Sequence, residues 1–577
     1  MLPMHRAGLA VCVVMMLMLS GLYLDGEGEG AMGQESTLYV GGSGPGNYST
    51  IHAALDAAAD GDTVYVYDDG APYDERVVVH RSVLLTGENR DTTVVDGGGN
   101  GTVVRVAAPD VFVSNMTLRN SGANGTGRAG LYLVSRGCKV RDVVLRGNQY
   151  GVVCEGAGHR IAGNMMLRNA EGMLLRDARG CAVEGNVLDG NEIAGLLLQD
   201  AVDNVVMGNR VVNGSSAQGV LAGGTDNHIS GNVISGQRYG GLQLVSSGNV
   251  VDNNTFVGCG LGTMYDYRSN VVRDNTVNGK PLVYLEGVSD SSVGEAGQVF
   301  LVDCTGITVS GLQLTNTTVA VQLYGSSDCR ILDSDISGNL QGVMLWNASD
   351  NEIAGNAVVG NEFEGVDVGP FSHRTRITGN HVQGNNDGIS MWSEGNTVTD
   401  NSIRDNWHGI HLDISDNNTI SGNMLADNTE AVSIWQESHG NTISGNMFRD
   451  NTRAVSLHYD STGNRISHND IRGSEYGVDI SPSSNGNHVE ANNLTGNMVA
   501  VWIGSTGNVI RHNNFFDSER RHATFISADR DPLVPRNRWN RNYWGRPHLL
   551  PRPIVGFRLP VPWLNFDWRP LLQPYPG

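Results

Sequence analysis

The side chains best suited to chemistry recur at fixed places in a short repeated motif, Gly-Val-x-Leu-x, between Gly311 and Asn513. Because side chains alternate across a strand, the second and fourth residues should face inward and the third and fifth outward. The outward third positions are Gln322, Met344, Asp367, Ser390, His411, Ser433, Ser456, Asp479 and Trp502. The outward fifth positions are Tyr324, Trp346, Gly369, Trp392, Asp413, Trp435, His458, Ser481 and Gly504. One exterior face is therefore predicted to gather aromatic rings, carboxylates and imidazoles.

The aromatic rings of this face are suited to carbohydrate. Indole and phenol rings offer flat apolar surfaces on which sugars stack, and carboxylates accept hydrogen bonds from sugar hydroxyls. The predicted polysaccharide-binding residues are Tyr324, Trp346, Trp392, Trp435, His458, Asp479 and Trp502. The alternative is structural, since aromatic side chains also stabilise a long sheet by stacking on their neighbours.

Two groups on the same face are candidates for catalysis. Glu437 and Asp460 hold equivalent places in adjacent coils, so about 5 Å should separate them, which is close to the separation in retaining glycosidases. Such proximity would raise the pKa of one carboxyl. A second group, Asp367, His411 and Asp413, is suited to abstracting a proton beside a uronic carboxylate. Solvated polar residues on an acidic face are the alternative, so catalysis by a lyase, glycosidase or epimerase stays open.

The elements that position these residues come from a repeat with a step of 21 to 24 residues. Its marker residues are Asn356, Asn380, Asn401, Asn423, Asn446, Asn469, Asn492 and Asn513. Such a step is typical of a solenoid, and the alternation of apolar and polar positions indicates strands. The predicted fold is all-β, a single-stranded parallel β-helix. Asparagine tolerates the turn at a coil corner and bonds to its stacked copy, so its role is interpreted as structural.

An earlier run of the repeat carries a different outer face. Its markers are Asn115, Val143, Asn164, Asn186, Asn209, Asn232, Asn254 and Asn275. Its outward third positions are apolar: Tyr132, Val153, Leu174, Leu197 and Leu221. Contiguous apolar surface is usually covered or used. The sequence thus predicts a docked loop, a partner, or self-association through Tyr132, Leu174, Leu197 and Leu221.

The ends of the chain differ from its middle. Residues 49–59 are predicted to form a capping helix with Ser49 as its N-cap. The tail from about Asp531 holds ten of the seventeen prolines and four tryptophans, so it is predicted to cap the last coil irregularly. The predicted divisions are 1–33 as a signal peptide or N-terminal anchor, 34–100 as the N-terminal cap and first strands, 101–275 as the first block, 276–310 as an insertion or distorted coil, 311–520 as the second block, and 521–577 as the Pro/Trp/Arg-rich C-terminal cap or tail.

The net charge and the cysteine content argue against some classes of partner and ligand. A formal net charge of -21 argues against nucleic-acid binding. The apolar leader and ten Asn-x-Ser/Thr sequons are compatible with a secreted, periplasmic or cell-surface glycoprotein that meets a membrane through its N-terminal segment alone, if that segment is uncleaved. Cys138, Cys181 and Cys329 fall in a corner column that asparagine holds elsewhere, and no Cys/His spacing typical of a metal site occurs. No cofactor is predicted, because no motif supports calcium or copper.

Several stretches resemble a known family. The opening YSTIHAALDAAADGDTVYVYDDGAPYDERVVVHRSVLLTGE, the interruption NTVNGKPLVYLEG and the restart AGQVFLVDCTGITVSGLQLTNTTVAVQL are similar to NosD-like proteins. The resemblance spans about residues 37–513 and implies a right-handed parallel β-helix of the pectin-lyase type, in a group of carbohydrate-binding proteins and sugar hydrolases. It also implies copper-site maturation as a further function, although the chain outside its apolar leader shows no Met-x-Met, Cys-x-x-Cys or His-x-His cluster. A structural or adhesion role remains the other alternative.

Overall fold

A computed structural model describes residues 36–122, 128–214, 218–263, 268–527, 536–558 and 561–576. The predicted leader, residues 1–33, lies outside the described residues. Within them the regular secondary structure is strand apart from one short helix, Ile51–Ala57, and the prediction of a parallel β-helix is confirmed. No helix in the described ranges is long and apolar enough to cross a membrane.

Each regular coil contributes three strands, which pair in parallel with the same strands of the next coil. In one coil these are His408–Asp413, Thr419–Ser421 and Met424–Ala426, and their partners are Glu430–Trp435, Thr442–Ser444 and Met447–Arg449. Apolar residues stack in register inside, as Ile410 does on Val432, and all are buried. Every coil thus buries its apolar side chains against its neighbours and its outward side chains form columns.

Asparagine ladders hold the corners. The Asn423 backbone N–H and its side-chain Nδ2 both donate to Asn446 Oδ1 at 3.0 Å. Asn446 Nδ2 in turn donates to the Ile420 carbonyl at 2.9 Å and to Asn469 Oδ1 at 3.0 Å. Because these amides are buried, the ladder satisfies backbone groups that the turn leaves unpaired. The structural interpretation of the asparagines is confirmed, and Cys181 and Cys329 stand in such a corner column as predicted.

Two long sheets face outward along the molecule. Face sheet 1 belongs to the first block and contains Val77–Val79, Val104–Val106, Ala129–Leu133, Tyr150–Cys154, Glu171–Arg176, Ala194–Gln199, Gln218–Ala222, Leu242–Leu244 and Leu261–Thr263. Face sheet 2 belongs to the second block and contains Lys280–Glu286, Gln298–Val302, Val319–Tyr324, Gln341–Trp346, Glu364–Val368, Asp387–Met391, His408–Asp413, Glu430–Trp435, Arg453–Leu457, Tyr476–Ile480, Val499–Ile503 and Arg521–Ser527.

The two blocks meet where the repeat is interrupted. Thr276–Val277 pairs antiparallel with the start of Lys280–Glu286, which then begins face sheet 2. The outward side chains of Phe300, Val302 and Tyr324 belong to the buried core of the first block. Gln298 bonds to both backbone groups of Leu261. The outer face of the second block's first coils therefore closes the end of the first block.

Both ends of the molecule are capped. The helix Ile51–Ala57 covers the first strands and buries Ile51, Ala54 and Leu55. Its N-cap is Thr50, one residue beyond the predicted Ser49, and the Thr50 hydroxyl accepts a hydrogen bond from the Ala53 N–H at 3.2 Å. At the other end, the strands Arg552–Arg558 and Val561–Asp567 form an antiparallel hairpin.

The C-terminal cap is thus more regular than predicted. Its hairpin accommodates proline because its strands lie at the edge of the sheet, where a missing N–H costs little. Trp539, Trp544 and Ile554 of the same segment are buried in the core of the second block.

Candidate functional site

The outward columns of face sheet 2 lie in the predicted register. Ser390 is opposite His411, His411 opposite Ser433, and Ser456 opposite Asp479. In the next column, Asp413 is opposite Trp435. His411, Trp435, His458 and Asp479 are brought together on one stretch of the sheet.

A third outward column was missed by the sequence reasoning. It contains the residue before the Gly or Ala that opens each motif: Gln341, Glu364, Asp387, His408, Glu430, Arg453 and Tyr476. Strict alternation would have turned these residues inward. Instead Gly365 and Val366 are both buried in succession, and Glu364 faces outward. A Cβ on Gly388 would lie 2.6 Å from the Gly409 carbonyl oxygen, so this inward position admits only small residues. The repeated Gly or Ala at that place was the available signal.

Glu430 is the centre of the resulting polar cluster. The residue is 8 % exposed, and its carboxylate accepts hydrogen bonds from the hydroxyls of Ser433 and Ser456, each at 2.7 Å. Arg453 Nη1 lies 3.2 Å from Glu430, and Arg453 Nε lies 3.0 Å from Asp479. Burial alone would raise the pKa of Glu430, but His458 and the two serines hold it well below its usual range. Glu430 is therefore ionised at neutral pH.

Asp479 is perturbed in the opposite direction. Its burial raises its pKa, although Arg453 opposes that effect. Its Oδ1 is enclosed and has no hydrogen-bond partner among the described residues. Two carboxyl groups that share one guanidinium thus differ in their affinity for a proton, an arrangement found in acid and base pairs.

Imidazoles extend the cluster toward the first block. His408 Nδ1 and Asp387 Oδ1 are 2.7 Å apart, and the His408 ring stacks on His411 with 4.7 Å between ring centroids. Burial, together with neighbouring His408, lowers the pKa of His411 to about 4. His411 is therefore neutral at pH 7, and its enclosed Nδ1 has no partner within the described structure.

Indole rings flank the charged cluster. Trp435 Nε1 donates to Ser433 Oγ at 2.7 Å, and its ring lies 5.1 Å from both His458 and Tyr459. In the same column Trp346 is 39 % exposed and Trp392 is 43 % exposed. Because these three tryptophans are two coils apart in succession, about 9.5 Å separates each from the next.

The predicted group of Asp367, His411 and Asp413 is not assembled. Asp367 is two coils from His411, with Ser390 between them. Burial, with Glu364 and Asp387 nearby, raises the pKa of Asp367 to about 8, and burial also raises the pKa of Asp413. These aspartates border the cluster centred on Glu430.

The predicted pair Glu437 and Asp460 lies off the sheet. Their strands end at Trp435 and Leu457, and both residues sit in turns, exposed, with φ of 52° and 60°. The strand alternation that placed them on the face does not continue through a turn.

Tyr324 was also misplaced, because it is 2 % exposed and closes the first block. The prediction treated every fifth position as solvent-facing, whereas the junction covers the first ones. Trp502 is half-buried at the far end of the face.

The apolar face of the first block is largely covered. Val153 and Leu174 are buried, in a small cluster with Ala129, Tyr132, Tyr150 and Leu197. Leu197 and Leu221 are half-buried. Only part of the predicted apolar patch is therefore accessible to solvent.

The described residues contain no group of three or more His, Cys, Asp or Glu side chains arranged to hold a metal ion. Of the clustered imidazoles, His408 is paired with Asp387 and His458 Nδ1 with the Ser481 hydroxyl.

Several solved structures are similar to this chain at low sequence identity. The A-module of the Azotobacter vinelandii mannuronan C-5 epimerase AlgE4 is 18 % identical, with 69 % of this chain and 96 % of that chain covered and a TM-score of 0.28. The PL6 family alginate lyase AlyGC is 12 % identical, with 88 % and 93 % covered and a TM-score of 0.32. The DFA-IIIase of Arthrobacter chlorophenolicus A6, without its lid, is 12 % identical, with 50 % and 84 % covered and a TM-score of 0.32. No curated protein matches the sequence.

A family profile described as "Periplasmic copper-binding protein (NosD)" matches four overlapping parts of the chain, residues 85–243, 212–295, 288–437 and 371–547. Together these matches span most of the described β-helix, in both blocks. The chain belongs to the NosD family.

Proposed function

We propose that this protein works outside the cytoplasm and binds a polysaccharide along face sheet 2. The observation that carries the proposal is the column of Trp346, Trp392 and Trp435 beside the enclosed Glu430 cluster. Indole faces stack on sugar rings, and the fixed polar groups select hydroxyl positions. The description of the family as periplasmic supports the location.

The charges of the face favour an uncharged or amino sugar. Arg453 is the cation closest to the centre and is shared by two carboxylates, while Glu364 and Asp387 lie alongside. A polyanionic chain would be repelled by this surface. A neutral chain can use the same carboxylates as hydrogen-bond acceptors.

Oligosaccharide titration followed by tryptophan fluorescence tests the proposal. We expect neutral oligosaccharides to change the emission, and Trp392→Ala with Trp435→Ala to weaken binding at least about tenfold, since stacking rings are typical binding hot spots. Trp568→Ala, in the exposed C-terminal tail, is the matched control and should bind normally. Equal affinity of the double variant and the native chain, or silence across a broad glycan panel, would refute the proposal.

A second candidate is turnover of the bound polysaccharide. It is favoured by the Asp387–His408 pair next to neutral His411, and by the opposite pKa shifts of Glu430 and Asp479. Such groups can take and return a proton.

Product analysis separates turnover from binding. New reducing ends should appear with the native chain and vanish in His408→Gln and Asp479→Asn. Retention of glycan without any product would leave a binding protein.

Copper binding, implied by the family description, does not fit the described residues. His408 is engaged with a carboxylate and His458 with a hydroxyl, and no cysteine joins them in a group of metal-binding side chains among the described residues. We therefore derive no step that involves copper.

A further inference from the structure

The C-terminal tail has a surface chemistry unlike the rest of the molecule. Residues 536–576 contain seven arginines and one acidic residue, Asp567, within a chain whose net charge is -21. Asp567 is fully buried, where it accepts hydrogen bonds from the Asn542 N–H at 2.9 Å and from Trp544 Nε1 at 3.2 Å. The described tail therefore presents guanidinium groups to solvent with no side-chain carboxylate among them.

The same segment exposes large apolar side chains. They are Leu549, Leu550, Val555, Phe557, Val561, Trp563, Leu564, Trp568 and Leu572, and Leu549 is 88 % exposed. The exposure is not caused by loose packing, because Trp539, Trp544 and Ile554 anchor the segment in the core. The tail is thus amphipathic, with one side fixed to the β-helix and the other in solvent.

The hairpin exposes apolar groups on both of its sides. Opposite residues of an antiparallel pair point the same way, so Val555 and Leu564 share one side with Phe557. Trp563 and Val561 are on the other side, and the Arg558 guanidinium lies 5.8 Å from the centroid of the Trp563 ring. Apolar groups on both sides suit insertion into a fluid medium better than docking on a flat protein surface.

We propose that the hairpin Arg552–Arg558/Val561–Asp567 docks the protein on an anionic lipid surface. Trp, Phe and Leu side chains insert at the boundary of the acyl chains, and arginines attract anionic headgroups. The acidic β-helix would be repelled by the same headgroups, so the contact is made end-on. This attachment is independent of polysaccharide binding at face sheet 2.

Vesicle sedimentation of the full chain tests the docking. We expect binding to phosphatidylcholine vesicles that contain phosphatidylglycerol, and much weaker binding to phosphatidylcholine alone. Arg552→Glu with Arg558→Glu should weaken the binding at least about tenfold, because each basic residue near an anionic membrane surface adds to the free energy of binding. Trp563→Ser and Leu564→Asp should each weaken it too. Arg376→Glu, on the exposed surface of the β-helix, is the matched control.

The variants share the N-terminal leader with the native chain, so any contribution of the leader cancels in the comparison. Melting temperatures establish that each variant is folded. Trp568→Ser tests a second exposed position in the same tail. Undiminished binding of the double arginine variant would overturn the proposal, as would equal binding to neutral vesicles. So would lipid-free self-association that Leu564→Asp abolishes, because a second copy would then be the occupant.

Discussion

At the scale of the residue, the outer face owes its properties to unequal environments of similar groups. Glu430 is surrounded by hydroxyls and Arg453 and stays ionised. Asp367 lacks such partners, and its enclosed Oδ1 has no hydrogen bond within the described structure. Chemically equal carboxyls are thereby placed in different protonation states at one pH.

The raised pKa of Asp367 makes stability depend on pH. Since the folded state holds the proton up to a pKa of about 8, against an ordinary value of 3.8, stability should fall as pH rises between these values. Asp367→Asn removes the titrating group and with it this loss. The free energy of unfolding of the variant, relative to that of the native chain, should therefore be about 1–2 kcal/mol greater at pH 8 than at pH 5. Thermal melting at both pH values measures the difference. Glu437→Gln, which alters an exposed carboxylate, is the control, and parallel pH profiles for native and Asn chains would contradict the assignment.

Replacement of Glu430 should destabilise the protein, because its buried partners lose the carboxylate they bind. Glu430→Gln removes the charge opposite Arg453, so we expect a loss of about 1–3 kcal/mol at pH 7. Ser433→Ala, which deletes one hydrogen bond, should cost about 1 kcal/mol. Denaturant unfolding compares the two variants. An unchanged stability of Glu430→Gln would indicate that the cluster is solvated rather than enclosed.

At the scale of the element, the coil was predictable and its irregular points were not. The asparagine step and the alternation predicted the strands, the inward columns and two of the three outward columns. The column of Asp387, His408 and Glu430 was missed because alternation breaks at the small inward residue of each strand. Glu437 and Asp460 were misplaced because the strand had already ended. Local periodicity thus describes a strand well but not the residues at its two ends.

The asparagine ladder should be a measurable source of stability. Asn446→Ala would leave the buried Asn423 N–H and the Ile420 carbonyl unpaired, so we expect a loss of about 2–4 kcal/mol. Asn386→Ala is the matched control because its side chain is exposed at another corner. Unfolding by denaturant gives both values. If the two variants were equally stable, the hydrogen bonds of Asn446 to the backbone would contribute nothing to stability, and its side chain would only fill space.

At the scale of the whole molecule, the junction between the first and second blocks joins them into one structure. Tyr324, Phe300 and Val302 look like ordinary outward positions in the sequence, yet they complete the core of the first block. No periodicity could reveal this, because the partner surface is the end of another stack. The cap hairpin was hidden in the same way, since its prolines suggested irregular chain.

Loss of the junction should loosen one block selectively. Phe300→Ala should cost about 3–5 kcal/mol through the cavity it leaves, and solenoid stability is transmitted mainly between neighbouring coils. We expect faster hydrogen exchange in residues 218–263, while residues 430–503 keep their protection. Phe371→Ala, at an exposed position, is the control. Uniform acceleration along the chain would mean that the blocks unfold as one unit.

The sameness of the asparagine corners has a consequence for the gene. Residues 441–463 form one complete repeat, and its loss would join Gly440 to Asn464, restoring the Gly-Asn pair found at both original seams. The corner bonds would re-form one coil further along, so recombination between repeats can shorten or lengthen the protein by about 4.8 Å per event. At its corners a middle coil is interchangeable with its neighbours, so a change in the number of repeats alters the length of the protein between its two caps.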